Sequence, residues 1–561
     1  MRWRQSEERT SFRSRIVWSV AEAIMKTPHL ILSGATVYPI IAEPIRDGAV
    51  AIGDDRILAV GRSAAVEALA GASTRVVRLP PEYAVLAAFH DSHQHLLSYV
   101  RSRTRVPLWD TTSIPALLER LRAAAERRPA GSWIVAVGHD QGRLAERRHP
   151  TLAELDAAVS AHPLLVYRAC NHMALANSLA LARAGVTPAT SDPPGGRIER
   201  DDRGNLTGVL LEAAMSLAAD AVEAPAIDWQ SGLRDAAREY HRRGIVAVGE
   251  AALGHINGVR DLEIVADAIR GGGIGLRMYV LAYGDVAAQM LEAAEAGAWR
   301  EVWHDDEWLR FGAIKYFADG TLGGGTAWLT EEYGDEPGNR GFPLLAAEEL
   351  DARVLRAHRA GFQVATHAIG DAAVAMALDS YERALTVLPR SDHRHRIEHV
   401  EVIHPGLPER FAHLGVVAAI QSCFTFWEEG DVTRLGPGLA PWGHAWGALQ
   451  RAGVVLANGS DNPVLPDFAP LQGIAAAVTR MAHNGRRIAP HQAIGLMDAI
   501  RSYTWGSAYA AFAERDQGAL APGRYADIAV LGESLLDVEP ERIARVPVVM
   551  TVAGGTVVYE Q

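Results

Sequence analysis

His93 and His95 close a long apolar run, PEYAVLAAFHDSHQH. Residues two apart on a strand point to the same side, so both imidazoles can face one metal ion; a polar strand exit would read the same. His367 ends QVATH before the turn AIGD, and His399 ends RIEH. Each closes an apolar strand, where the catalytic groups of a β/α barrel collect. A hydrogen-bonded structural histidine explains either one alone, but four histidines in equivalent places on three strands are harder to explain as packing. His393 and His395 repeat the spacing in SDHRHR, yet they precede their strand among arginines and are expected in a solvated loop.

Asp461 ends VVLANGSD. A buried aspartate needs a compensating partner, and a metal would be one. The competing role is a helix cap, which Pro463 and the loop NPVLPD make less suitable. Lys315 is the most informative position. The chain has two lysines, Lys26 and Lys315, and arginine or histidine supplies the rest of its basic side chains. Arginine stays protonated, whereas a buried lysine loses its proton readily and its free amine can add carbon dioxide. The resulting carbamate is an anionic oxygen donor able to bridge two divalent cations. A plain ion pair of Lys315 with Asp319 is the alternative, but arginine would serve that purpose.

These positions need a scaffold that brings strand ends together. Between Leu108 and the C-terminal third, short apolar runs such as SWIVAVGHD, GIVAVGEAA, IGLRMYVLAYG, FGAIKYFADG and VVAAIQSCF alternate with helical stretches. That alternation predicts a parallel sheet with helices outside it, and polar residues at so many strand ends favour a (β/α)₈ TIM-type barrel over an open sheet. More than eight runs are present, so an insertion is expected near 108–219. Strand-like, turn-punctuated segments occupy both ends, predicting a small β-sandwich domain from 28–84 and 516–561 around a barrel at 85–515. Residues 1–27 read as an arm: five arginines precede a mildly apolar stretch, and Met25 is an alternative start.

Composition bounds the function. With 48% apolar and 22% charged residues the chain is globular, and a net charge of -12 argues against nucleic-acid binding. Cys170 and Cys423 lack metal-type spacing and make no disulfide framework, which suits a reducing cytoplasm. No apolar run is long enough to span a bilayer, so no membrane partner is expected.

The motifs FHDSHQHL, NHMALANSLAL, PPGGRIERDDRGNLTGVLLE, GAIKYFADGTLGGGTAWL, THAIGDAAV, HRIEHVEVI, GSDNPV with AAVTR, and GALAPGRYADIAVL follow one another along the chain. Together they resemble the amidohydrolase superfamily, in the branch (amidohydrolase family 3) that holds N-substituted formamide deformylases. The resemblance implies a barrel joined to a β-sandwich, with His93, His95, His367, His399 and Asp461 as metal ligands and Lys315 as a carboxylated bridge. It further implies two divalent ions, with zinc suited by donor type and manganese, iron or cobalt as alternatives, and attack of metal-activated hydroxide on the carbonyl of a non-peptide C–N bond (amide, formamide or cyclic amide), with Asp461 moving the proton. Ester, lactone or carbamate hydrolysis on the same site, or a non-catalytic barrel scaffold, are the alternatives.

Two departures from the family pattern stand out: His90, where relatives carry an aliphatic residue and which is expected to pack behind the site, and Ala87–Ala88 in place of proline and glycine. Trp328, Phe424, Phe426, Trp427 and Trp446 follow or flank strand ends and suit an aromatic pocket or plain loop packing. His172, Asn177 and Glu212 are expected to line the pocket or hold a lid, with Arg480 and Asn484 as weaker candidates. The expected partner is a small-molecule substrate, with a homodimer as the possible assembly.

Overall fold

The computed structural model describes residues 27–222, 227–271, 273–299, 305–427 and 432–561; the arginine-rich arm lies outside them. Eight strands form the barrel: β1 (Phe89–Gln94), β2 (Ile245–Leu253), β3 (Arg277–Ala282), β4 (Leu309–Phe317), β5 (Gln363–Ala368), β6 (Arg396–His399), β7 (Val417–Ile420) and β8 (Leu456–Asn458). Each is hydrogen-bonded in parallel to the next along the chain. The ring closes beyond the ends of β1 and β8, where Asp461 N–H donates to the His93 carbonyl (2.8 Å) and His95 N–H to the Asn462 carbonyl (2.9 Å).

The helix Asp371–Val387 shows how the outer layer attaches. Its Val374, Ala377, Leu378, Tyr381 and Ala384 recur at helical spacing and are buried. The Tyr381 hydroxyl anchors that face, donating to Thr366 Oγ1 of β5 at 2.6 Å. Inside the barrel, Ala251, Tyr279, Leu281, Ala313 and Ala365 pack against Ala508, Ala511 and Ala513, which plug its N-terminal end. Small side chains there leave room for Tyr279; a Cβ on Gly312 would stand 2.1 Å from its hydroxyl.

That N-terminal end corrects one expectation. His393 and His395 are buried, not solvated. His395 Nδ1 accepts Val364 N–H (2.9 Å), and its Nε2 lies 2.9 Å from His358 Nδ1. His393 Nε2 is 2.8 Å from the Leu414 carbonyl, and the neighbouring Arg394 spends its charge on Asp392 and Glu514. The arginines therefore face carboxylates while the histidines tie the starts of β5 and β6. His90 is buried too, with its pKa pushed down to about 3 by burial and then by Arg396.

A six-stranded domain interrupts the chain between β1 and β2. Its strands, in spatial order, are Gly196–Arg200, Leu206–Glu212, Met173–Ala176, Leu164–Arg168, Ile134–His139 and Val106–Pro107, with apolar cores on both faces. A second sheet joins both ends of the chain. Strand Ala84–Ala87 runs parallel to Thr36–Tyr38 on one side and antiparallel to Ile528–Leu531 on the other, then passes through Ala88 into β1. Strand Leu30–Tyr38 changes partner at Gly34, pairing with Arg75–Arg78 before it and Ala84–Ala87 after it. Gly34 holds φ +99, and a Cβ there would meet the Leu79 carbonyl at 2.7 Å. No helix among the described residues is long and apolar enough to cross a membrane.

Candidate metal centre

Six side chains from different parts of the barrel meet at the C-terminal ends of its strands. The rings of His93 and His95 lie 5.4 Å apart, His93 and His399 4.8 Å, and His399 and His367 4.5 Å. Asp461 Oδ1 is 3.0 Å from His95 Nε2 and 3.4 Å from His93 Nε2, while Oδ2 is 3.9 Å from His399 Nδ1. His93, His95 and Asp461 each offer a ligand atom within 4.8 Å of the others.

The turn after β8 delivers Asp461. Ser460 donates its N–H (2.9 Å) and hydroxyl (2.5 Å) to the buried Asp91 carboxylate on β1. Gly459 packs directly on β1, where a Cβ would meet His93 N at 2.6 Å. Asp461 itself holds φ 55, in the left-handed region that few non-glycine residues adopt. Burial opposes its charge, yet His93, His95 and His399 hold its carboxyl well below the usual range.

Three of the four histidines have one ring nitrogen already committed. His93 Nδ1 is 2.5 Å from Glu398 Oε2, His399 Nδ1 is 2.9 Å from Gln421 Oε1, and His367 Nε2 is 3.0 Å from the Gly320 carbonyl. This leaves His93 Nε2, which faces Asp461 Oδ1 at 3.4 Å, with His399 Nε2 and His367 Nδ1 as the ring nitrogens able to take an ion. Outer acceptors of this kind fix the tautomer and aim of metal-binding imidazoles. Glu398 is itself gripped by Arg396 at 2.5 and 2.9 Å, and Arg396 also donates to the Ser92 carbonyl at 3.1 Å. Burial would neutralise Glu398, but Arg396 and then His93 hold its carboxyl far below the usual range.

Lys315 sits on β4 opposite Ala365 of β5 and is 1% exposed. Its Nζ has no hydrogen-bond partner among the described residues. Burial pushes its pKa down to about 8, against the pull of Glu398 and Asp461, and its charge is felt at His95, His367 and His399. Asp319 is not its counterion: that carboxylate accepts the N–H groups of Trp328, Ile369 and Gly370 at 2.8–3.0 Å and so ties the loop after β4 to the turn after β5. Asp461 Oδ1 is likewise buried without a hydrogen bond of normal geometry, despite its closeness to His95. A buried amine and a buried carboxylate oxygen left over among imidazoles with free nitrogens form a donor set that fits divalent metal.

The expected pocket residues divide. His172 and Glu212 reach the centre from the inserted domain, His172 lying 5.2 Å from His367. Asn177 does not: it caps the helix Ser178–Arg183, accepting Ala180 N–H and Leu164 N–H while donating to the Val159 and His162 carbonyls, all at 2.9 Å. Phe424 lies parallel to His399 with ring centres 6.5 Å apart. Trp328 flanks the Asp319 loop, and Phe426 and Trp427 pack edge to face beside His483. Trp446 is fully buried beneath the Arg480 guanidinium, a packing role for both residues, and Asn484 lies on the surface. Trp427, Arg143, Met173 and Gly323 line a cavity of about 360 Å³ between the inserted domain and the barrel loops, which none of the six candidate ligands borders.

Sequence reasoning missed Asp91, Arg396, Glu398, Gln421 and the Gly320 carbonyl. The alternation of Arg396 and Glu398 around Ile397 in RIEH was the one available signal, two charges on the inward side of a buried strand.

The amidohydrolase family matches residues 83–559. Protein LONG AFTER FAR-RED 3 of Arabidopsis thaliana is 31% identical over 94% of this chain and 91% of its own length. N-substituted formamide deformylase of Arthrobacter pascens is 26% identical over 95% of this chain and 98% of its own. Among solved structures, an uncharacterized metal-dependent hydrolase from Pyrococcus horikoshii OT3 superposes with a TM-score of 0.70 at 26% identity, covering 94% of this chain and all of that one.

Proposed function

This chain belongs to the amidohydrolase family, and from that premise we propose that it hydrolyses a non-peptide C–N bond: an amide, a formamide or a cyclic amide. His93, His95 and Asp461 would hold one divalent ion and His367 and His399 a second. Lys315, carrying carbon dioxide as an N6-carbamate, would be shared between them. Nitrogen and oxygen donors suit zinc. Such ions, when bound, supply Lewis acidity that polarises a carbonyl and lowers the pKa of water.

The protein's own groups do the rest. Asp461, at the accessible side of the cluster, takes a proton from the attacking water and returns it to the departing nitrogen. Glu398, Gln421 and the Gly320 carbonyl keep three imidazoles aimed inward. Lys315 Nζ bonds to the carbon of carbon dioxide and releases one proton. The formamide deformylase likeness supports a small acyl group on nitrogen. The observation that carries the reading is the convergence of six donors, with Lys315 Nζ buried and without a hydrogen bond among the described residues and Asp461 Oδ1 facing the imidazoles of His95 and His93.

Lys315→Ala and Lys315→Arg test it. Turnover of a panel of N-acyl amines, formamides, cyclic amides and esters should collapse, and bound metal should fall, while circular dichroism stays that of the native barrel. Near-normal turnover by dialysed Lys315→Arg protein would overturn the bridging role. Ester cleavage without amide cleavage by the unaltered protein would overturn the bond class.

A further inference from the structure

The inserted domain touches the centre through one imidazole. His172 follows the strand Leu164–Arg168 and lies against His367, with rings 5.2 Å apart at 28°. Its Nδ1 is 2.7 Å from Glu212 Oε2, and its Nε2 has no hydrogen-bond partner among the described residues. Glu212 is bound at its other oxygen as well: Oε1 accepts the Thr326 hydroxyl at 2.6 Å. Thr326 Oγ1 accepts Thr321 N–H at 2.9 Å, within the loop whose Gly320 carbonyl meets His367 Nε2 at 3.0 Å. A Cβ on Gly320 would stand 2.1 Å from Glu212 Oε1, so only glycine there lets the carboxylate seat.

Exposure shows where a ligand must approach. In order of contact the rings run His172, His367, His399, His93, His95. The two ends of that row are accessible, His172 at 18% and His95 at 23%, with Asp461 at 12%; His93, His367 and His399 are at 4% or below. Among these groups the solvent-accessible ones are therefore His95 and Asp461 at one end of the row and His172 at the other. A neighbouring imidazole held at one nitrogen by a buried carboxylate presents its other nitrogen in a fixed direction.

We propose that the inserted domain completes the active site: His172 Nε2 contacts the polar group of the bound substrate, and Glu212 is a positioning residue that holds it there. This rests on the hydrolytic reading of the centre. It gives the inserted domain a chemical role and makes its docking on the Gly320–Thr326 loop a condition of turnover.

The test uses cobalt-loaded full-length protein, unaltered and as His172→Ala, His172→Asn and Glu212→Gln, titrated with acetohydroxamate and followed by the cobalt absorption. Cobalt per chain and melting temperature are measured alongside. The expected result is full cobalt content with acetohydroxamate bound at least tenfold more weakly by both His172 variants and threefold to tenfold more weakly by Glu212→Gln. The amide panel should show a larger fall in kcat than rise in KM for the same proteins. Acetohydroxamate affinity within threefold of the unaltered protein would overturn the proposal. So would loss of cobalt from the His172 variants, which would make His172 a support for His367 alone. If the unaltered protein cleaves no amide yet binds acetohydroxamate, the bond class fails and the titration still decides the role of His172; no binding at all overturns both.

Discussion

Glu398→Gln removes one negative charge from a place that water does not reach. Glu398 and Arg396 are 0% and 1% exposed, and the carboxylate serves His93 Nδ1 at 2.5 Å and Arg396 at 2.5 and 2.9 Å. Removing one partner of a buried ion pair costs about 3–5 kcal/mol, chiefly because the other charge is left uncompensated. Glutamine keeps one acceptor, so the lower end, about 3 kcal/mol, applies to the metal-free protein. The second effect is on His93, whose tautomer is no longer fixed by an anion; loss of such an outer partner weakens metal binding by about 10–100-fold. The two effects separate in the pair Arg396→Met with Glu398→Leu, which removes both charges. That variant should regain most of the stability, because well-packed apolar replacements of buried pairs are often neutral, but none of the metal affinity. Shifts in urea midpoint of metal-free protein measure the first quantity, and chelator competition for zinc measures the second. Glu398→Gln protein that binds zinc within twofold of the unaltered protein would refute the assignment of His93 as a ligand aimed by Glu398.

Gly459→Ala should lower metal affinity and melting temperature together, because the new Cβ would stand 2.6 Å from His93 N and 2.9 Å from Asp91 Oδ1; overpacking of this kind costs about 1–3 kcal/mol. An unchanged melting curve would contradict the tight packing of β8 on β1. Asn177→Ala should destabilise the protein by about 1–3 kcal/mol through lost buried hydrogen bonds, with KM for any cleaved substrate unchanged, and a raised KM would return Asn177 to the pocket. His358, His393 and His395 all have pKa values lowered by burial from 6.5. The unfolded chain therefore takes up protons below about pH 6.5 that the folded one refuses, so their stabilisation is complete above that pH and is lost on acidification. Urea midpoints between pH 5 and 7 check this, and His395→Gln should flatten the slope.

The barrel was legible because its strands are short apolar runs whose polar residues fall at one end. The HxH pair, the histidines closing β5 and β6, and a lysine in a chain of arginines were visible for the same local reason. Glu398 and Gln421 were not, since their roles depend on strands brought side by side from far along the chain: His93 and Glu398 are 305 residues apart. His393 and His395 misled because flanking arginines suggest solvent, whereas Arg394 reaches out to Asp392 and Glu514 and leaves the imidazoles inside. Asn177 carried its own correction in NSLAL, an asparagine immediately before a helix, where asparagine is among the strongly preferred N-caps.

Strand Ala84–Ala87, which leads into β1, needs Ile528–Leu531 as its second neighbour. On the ribosome that partner emerges roughly 20–90 s later, at about 5–20 residues per second. During that wait an apolar strand with an open edge is a pairing site for other nascent copies. Assembly of the two-ended sheet therefore comes last, and shortening the chain before residue 528 should leave the barrel's first strand without its anchor and give aggregate during synthesis.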